Sequence, residues 1–241
     1  MKWRDKRCWD SRCRWVFIWI VAWVVANGTP SAVHADSTLK HDFRLWSPVY
    51  LTVQLPSSFV AYMEVNPRFG DNVSELDQLF FRPALGYKLT DHLSIWQGYA
   101  WIGSYQPRFT GEHRSFQQVI YSRKFSPFKL LSRSRLEERV IDRADGTAVR
   151  ARTLLRGDFP IPQAPAWAFV VYDEIFVNLN SVGNGPQDGL DQNRFFVGVN
   201  RQVTDHLNID LGYQLQALNN AKSGLINQMN HVLLLQFFIN L

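Results

Sequence analysis

The sequence predicts an all-β fold: a closed, antiparallel, up-and-down transmembrane β-barrel of about 10–12 strands. The first observation is a strict alternation of apolar and polar side chains in residues 189–218, on both sides of a turn at Thr204 and Asp205. Such alternation is typical of a β-hairpin. The pattern recurs along the chain after residue 36, and short connections alternate with long ones. A membrane barrel turns its apolar face to lipid and its polar face to the lumen. A soluble β-sandwich or lipocalin-like barrel, with the apolar faces inside, is the alternative fold.

Residues 1–35 have the composition of a secretory signal peptide. Six Lys or Arg residues precede an apolar run at residues 16–26, and a small-residue cleavage site ends at Ala35. The sequence therefore predicts a cleaved signal peptide at 1–35 and a single barrel domain at 36–241. It also predicts that the protein is located in the bacterial outer membrane.

Removal of this segment changes the charge and the chemistry of the chain. The segment holds six basic and two acidic residues, so its loss lowers the formal net charge from +5 to +1. A nearly neutral chain lacks the basic footprint of nucleic-acid binding, and no nucleic-acid partner is predicted. Cys8 and Cys13 also leave, which excludes a disulfide framework and thiol chemistry. The mature chain has no apolar run of about 18 residues, so no transmembrane helix is predicted.

Alternation places the strands in order along the mature chain. We predict strands at about residues 43–55, 59–68, 79–89, 93–101, 117–125, 129–139, 149–158, 167–179, in the two arms of 189–218, and at 228–241. Short connections lie at 56–58, 90–91, 126–127, 160–165 and 204–205, and longer polar ones at 66–77, 104–113, 141–147, 180–191 and 217–227. The count is eleven, whereas bacterial single-chain barrels usually have an even number. We therefore expect ten or twelve strands: either one strand is missing from the count, or the segment near Phe43 enters through the lumen.

The last strand and the tryptophans also fit a barrel. Alternate residues of 233–241 are apolar, which predicts contact with the barrel assembly machinery, although the chain ends in leucine where such signals typically end in an aromatic residue. Trp101 and Trp167 are predicted in an aromatic girdle at the membrane interface. Trp46 and Trp96 alternate with the outward apolar residues of their strands, so they have the inward parity: their side chains are predicted to point into the barrel. Gln97 interrupts the apolar face of its own strand.

Several runs of the sequence carry a family resemblance. They are DFRLWSPVYLTVQL, LGYKLTDHLSI, RSRLEERV, YDEIFVNLN and GLDQNRFFVGVNRQVTDHLNIDLGY. The most specific pieces are residues 174–178 and 191–194. Together the runs resemble the family known as domain of unknown function 2490, over nearly all of the mature chain. This resemblance implies an outer-membrane-type β-barrel and carries no established reaction or transported solute.

The candidate site is a group of charges on the inward parity of the middle strands. It consists of Arg133, Arg135, Glu137, Arg139, Arg150, Arg152, Arg156, Asp158, Glu174 and Arg194. Because adjacent strands lie about 4.8 Å apart, these side chains are predicted to form one cluster. Glu64 shares the inward parity. The arginines outnumber the acids, and two interpretations stay open. The cluster either fills a small barrel with internal arginine–carboxylate staples, or attracts a small anionic solute such as phosphate or a carboxylate.

The sequence predicts no catalytic residue, no cofactor and no metal site. His113 and Ser115 are the residue types of a barrel lipid hydrolase, in which a serine nucleophile lies within hydrogen-bond reach of a histidine, but no orienting partner is evident. Asp173 and Glu174 are consecutive strand residues that point to opposite faces, so they cannot flank one glycosidic bond. The acidic loop at 188–191 lacks EF-hand spacing.

The predicted function is a narrow, anion-biased channel or passage protein, present as a monomer in contact with outer-membrane lipid. One alternative is a non-conducting structural barrel whose loops or turns bind a partner. Another is a lipid hydrolase of the barrel type, although no enzyme activity is predicted.

Overall fold

The computed structural model describes residues 39–220 and 225–241. These residues form only β-strands, turns and loops. The strands are β1 Lys40–Trp46, β2 Val49–Gln54, β3 Phe59–Gly70, β4 Glu75–Lys88, β5 Leu93–Ser104, β6 Thr110–Lys124, β7 Lys129–Ile141, β8 Thr147–Ile161, β9 Ala164–Asn178, β10 Gly189–Gln202, β11 Leu207–Asn220 and β12 Leu225–Asn240. In this part of the chain, no helix is long and apolar enough to cross a membrane. The predicted signal peptide, residues 1–35, lies outside the described residues.

The strands form one closed barrel in which nearly every strand pairs antiparallel with the next. β1 and β2 share one position in the wall, because both pair with β12 on one side and with β3 on the other. The break between them lies at Ser47 and Pro48. Proline has no N–H to donate to the sheet, but the carbonyl oxygen of Pro48 accepts a 2.9 Å hydrogen bond from the backbone N–H of Phe237. The barrel therefore has eleven strand positions.

An odd number of up-and-down strands brings the first and last strands together in the same direction. β1 and β2 accordingly pair parallel with β12. The predicted range of about 10–12 strands is confirmed, whereas the expected even number and a fully antiparallel closure are wrong. The segment near Phe43 lies in the wall, where Phe43 is paired with His231 of β12, and it does not pass through the lumen.

β6 begins at Thr110, seven positions before the predicted start at residue 117. In this first part of the strand both faces are polar, since Glu112 and Arg114 point inward while Ser115 points outward. The apolar–polar alternation is therefore lost, although the ladder with β5 continues. The predicted loop at residues 104–113 is correspondingly too long.

The two faces of the wall differ in chemistry. On β11 the outward side chains from Leu207 to Ala217 are apolar apart from one tyrosine. Ten residues of a strand tilted by about 40° span about 25 Å, the height of the apolar band of a membrane barrel. The inward face carries buried aromatic residues, among which Phe116, Phe176 and Phe196 are at most 1% exposed. The interior of the described barrel is filled with side chains.

Candidate functional site

The predicted charge cluster lies inside the barrel because alternate residues of β7, β8, β9 and β10 point inward. The register places Arg135 beside Arg152 and Glu137 beside Arg150. All four side chains are at least 93% buried. Two neighbouring guanidinium groups in a buried position require carboxylate partners, since unpaired buried charge is strongly unfavourable.

Glu137 is the carboxylate on which most of these arginines converge. Its Oε2 accepts hydrogen bonds from Nε and Nη2 of Arg150 at 3.0 and 2.6 Å. Its Oε1 lies 3.3 Å from Nη1 of Arg152 and 3.5 Å from Nη1 of Arg135. Nη1 of Arg114 lies 3.8 Å away. Glu137 is 1% exposed, so one buried carboxylate holds four guanidinium groups from three strands.

Glu174 has the same role on the neighbouring part of the wall. Nη2 of Arg133 donates a 2.8 Å hydrogen bond to its Oε1, and Nε of Arg152 lies 3.1 Å from the same oxygen. Nη1 of Arg194 lies 3.9 Å from Oε2. Arg152 contacts both carboxylates and so links the two groups into one network. Three of these side chains are buried, and Arg133 is 23% exposed.

Acids that the sequence analysis did not place in the cluster also pair with its arginines. Nε of Arg139 donates a 2.7 Å hydrogen bond to Glu112, which also pairs with Arg114. Arg150 reaches Asp191 at 2.7 Å. Arg156 pairs with the predicted Asp158 at 2.6 Å and with the fully buried Asp210 at 2.5 Å. All seven arginines of the predicted cluster therefore lie within 4.0 Å of a carboxylate.

Several of the guanidinium groups lie over aromatic rings of the interior. The Cζ atoms of Arg150, Arg152 and Arg194 lie 5.0, 5.0 and 4.6 Å from the centroid of Phe176. Cζ of Arg135 lies 4.0 Å from the ring of Phe116. Cation–π contacts of this kind add to the ion pairs where the cation is desolvated. The interior therefore combines charge pairing with close aromatic packing.

A second inward cluster surrounds Glu64, which the sequence analysis also placed inside. Glu64 pairs with Arg82 and accepts hydrogen bonds from Tyr62 at 2.8 Å and Asn66 at 3.3 Å. Arg68 differs from the other buried arginines of residues 39–220, because it has no carboxylate within 4.0 Å. Its Nη1 donates instead to the amide oxygen of a glutamine at 3.3 Å.

Arg68 is held between two aromatic rings. Its Cζ atom lies 3.8 Å from the centroid of Trp46 and 4.0 Å from that of Phe80. Trp46 is 3% exposed, as expected from its inward parity. Trp96 also lies inside, with its ring 2.5 Å from the position that a Cβ atom on Gly86 would take. Both tryptophans predicted inside are there.

The side chains that were weighed against hydrolase chemistry are separated from the charged interior. His113 and Ser115 lie on the outward face of β6; Tyr99 is hydrogen bonded to Nδ1 of His113, and Gln97 donates to the hydroxyl of Ser115 at 3.2 Å. Asp173 also points outward, where it accepts hydrogen bonds from an asparagine of β10 at 3.0 and 3.1 Å. Asp173 and Glu174 thus point to opposite faces, as predicted. Among the residues that the structure describes, no group of three or more His, Cys, Asp or Glu side chains forms a metal site.

The fold and the interior together define a class: a closed β-barrel whose lumen is filled by paired arginines and carboxylates. The chain belongs to the family described as protein of unknown function DUF2490, which matches residues 43–229. It is similar to an uncharacterized protein of Methylorubrum extorquens, with 35% identity over 185 residues that cover 75% of this chain and 80% of the relative. No solved structure matches the chain.

Proposed function

We propose that the protein is a bacterial outer-membrane β-barrel that does not conduct solutes, and whose interior network serves to hold the barrel closed and rigid. The membrane location is supported by the basic and apolar residues 1–35 and by the outward apolar band of about 25 Å on β11. The closed lumen is supported by one observation, the pairing of all seven cluster arginines with carboxylates. An arginine that donates to a carboxylate has fewer N–H groups free to bind a passing anion.

The membrane location is tested by fractionation of cells that produce the full chain. We expect the protein in the outer-membrane fraction, with a mobility in cold detergent gels that changes on boiling, because closed membrane barrels resist unfolding by detergent. Recovery in the soluble periplasmic fraction would instead support the lipocalin-like alternative.

The closed lumen is tested by single-channel recording on the refolded mature protein. We expect no conductance from the wild type, and none from a variant with Arg133, Arg135, Arg150 and Arg152 changed to Gln. Among the described residues, that variant leaves Glu137 with Arg114 alone and Glu174 with Arg194 alone within 4.0 Å. Arg133→Gln therefore serves as the second, milder variant, because its side chain is the most exposed of the four. Heat-modifiable mobility of each sample shows that the barrel is folded.

A narrow anion passage is the second candidate, and a specific observation favours it. Arg68, Arg82 and Arg133 each keep a buried Nε atom without a hydrogen-bond partner in the described structure. Buried donors of this kind fit an acceptor such as a carboxylate or phosphate oxygen. Anion-selective conductance that falls in Arg133→Gln would establish this candidate and overturn the closed lumen.

No hydrolase is proposed, because Ser115 and His113 are engaged with different residues. In the described part of the chain no hydrogen bond joins their side chains, since one is bonded to Gln97 and the other to Tyr99. A serine nucleophile requires a base that accepts its proton.

A further inference from the structure

The outer wall of β3–β8 differs from the outward face of β11. On β11 the outward residues from Leu207 to Ala217 are apolar apart from one tyrosine, whereas here four exposed polar side chains lie on neighbouring strands in mid-wall. They are Gln97, Gln117, Ser134 and Thr153. Polar groups on a lipid-facing surface are unfavourable, so their concentration in one place indicates a function. This argument rests on the proposed membrane location.

The same wall contains an open groove with a volume of about 690 Å³. The register shows two adjacent rows of outward residues that run across the strands. One row is Leu85, Gln97, Gln117, Leu136 and Ala151. The other is Phe59, Tyr87, Ile95, Val119, Ser134 and Thr153. Hereafter these two rows are called the outer groove.

The dimensions of the outer groove fit a single chain-like ligand. Five strand spacings make it about 24 Å long, and two rows of side chains make it about 7 Å wide. One leaflet of a bilayer contains about 15 Å of acyl chain, so an acyl chain can lie along the groove.

The chemistry of the outer groove fits a neutral amphiphile. The side chains that point outward along the groove carry no charge; Arg135 and Arg152 also border it from between the two rows, but their side chains are buried on the inward face. Nε2 of Gln117 donates to Oε1 of Gln97 at 3.2 Å, which leaves Oε1 of Gln117 free to accept. The hydroxyls of Ser134 and Thr153 lie 3.2 Å apart, and one of their two protons stays available for donation. Neutral donors and acceptors beside apolar side chains suit an ester, amide or hydroxyl group at the head of an acyl chain.

We propose that the outer groove is a binding site for the acyl chain and ester-linked head region of a membrane lipid. The apolar residues Leu85, Ile95 and Val119 contact the chain, and Gln117 and Ser134 hydrogen bond to the ester region. The bound lipid covers the polar side chains that otherwise face the hydrocarbon interior. The site therefore distinguishes this wall from the wall of β11, which is apolar apart from one tyrosine.

Photolabelling in vesicles tests the proposal. The full-length mature protein is inserted into phosphatidylcholine vesicles that contain a phosphatidylcholine with a diazirine on one acyl chain, and labelled peptides are mapped by mass spectrometry. We expect severalfold more label on peptides of β5–β8 than on those of β11. Ala151→Trp fills the groove and lowers the label on β5–β8 severalfold, because the indole occupies the site of the chain. Ala217→Trp, the same change on the outward face of β11, leaves that label unchanged.

The outcomes separate this proposal from the proposed membrane location. If the inserted, heat-modifiable barrel is labelled evenly around its wall, or if Ala151→Trp changes nothing, the lipid site is wrong and the membrane location stands. If crosslinking yields covalent dimers through β5–β8, a second copy covers the wall and the lipid site is again wrong. If the protein does not float with the vesicles, both proposals fail.

Discussion

Replacing Glu137 by Gln is expected to lower the free energy of unfolding of the barrel by about 3–5 kcal/mol, the usual cost of removing one partner of a buried ion pair. The substitution keeps the size of the side chain and removes its charge. Arg150 then loses both of its contacts with a carboxylate oxygen of Glu137, at 2.6 and 3.0 Å. Arg152 and Arg135 lose a partner at 3.3 and 3.5 Å. Several guanidinium groups are left close together in a buried site, where their mutual repulsion is weakly screened.

The measurement is urea unfolding of the protein refolded in lipid vesicles, followed by tryptophan fluorescence. Glu138→Gln is the matched control, since Glu138 is the next residue and points outward. Surface substitutions usually change stability by less than about 0.5 kcal/mol. An unchanged unfolding midpoint in Glu137→Gln would show that the network does not stabilise the barrel. The arginines would then be available for a solute, as the second candidate function requires.

The sequence was sufficient to predict which face of each middle strand is charged. Side chains alternate strictly across a strand, so the parity of Arg133, Glu137 and Arg150 was enough to place them inside. The same rule placed Trp46 and Glu64. In each case the prediction depends only on the alternation of side chains along one strand, and it requires no knowledge of the neighbouring strands.

The partners of the arginines were harder to predict, because pairing depends on register and on irregular positions. Glu112 lies in the part of β6 where both faces are polar. The apolar–polar alternation is absent there, so it predicted no strand at this position. Asp191 lies at a register shift between Leu190 and Gln192, which breaks the parity rule. Asp210 had the inward parity, but only closure of the barrel brings it to Arg156, 54 residues away.

The closure and the outer groove also depend on long-range geometry. Whether β12 meets the first strand in parallel is decided by the number of strands, and the interruption at Pro48 divides one strand into two short pieces. The outer groove consists of two rows that run across five and six strands. In the sequence, each polar residue of the outer groove, such as Gln97, appears as a single interruption of an apolar strand face. The register of the neighbouring strands then brings these residues together as one polar patch.

Gly198→Ala is expected to destabilise the barrel by about 1–3 kcal/mol, the usual cost of overpacking a filled interior. Gly198 is paired directly with Gly212 of the next strand. A Cβ atom on Gly198 would lie 2.8 Å from the Cα of Gly212 and closer still to the carbonyl oxygen of Leu211. It would also lie 2.6 Å from Cζ of Phe196. That ring is fully buried and stacked on Tyr172 at 4.6 Å, so it has little room to move.

The same unfolding experiment measures this effect, with Val197→Ala as the control on the outward face of the same strand, where the side chain is 51% exposed. Adding Phe196→Leu to Gly198→Ala removes the contact with the ring but not the contact with the backbone. The effect of Phe196→Leu is measured separately and subtracted. We then expect the double variant to recover only part of the stability that Gly198→Ala loses, because the backbone of β11 remains too close to the added Cβ atom. Full recovery would mean that the ring, and not the close approach of β10 and β11, requires glycine at this position. A Gly198→Ala protein as stable as the wild type would mean that these two strands lie further apart than the structure places them.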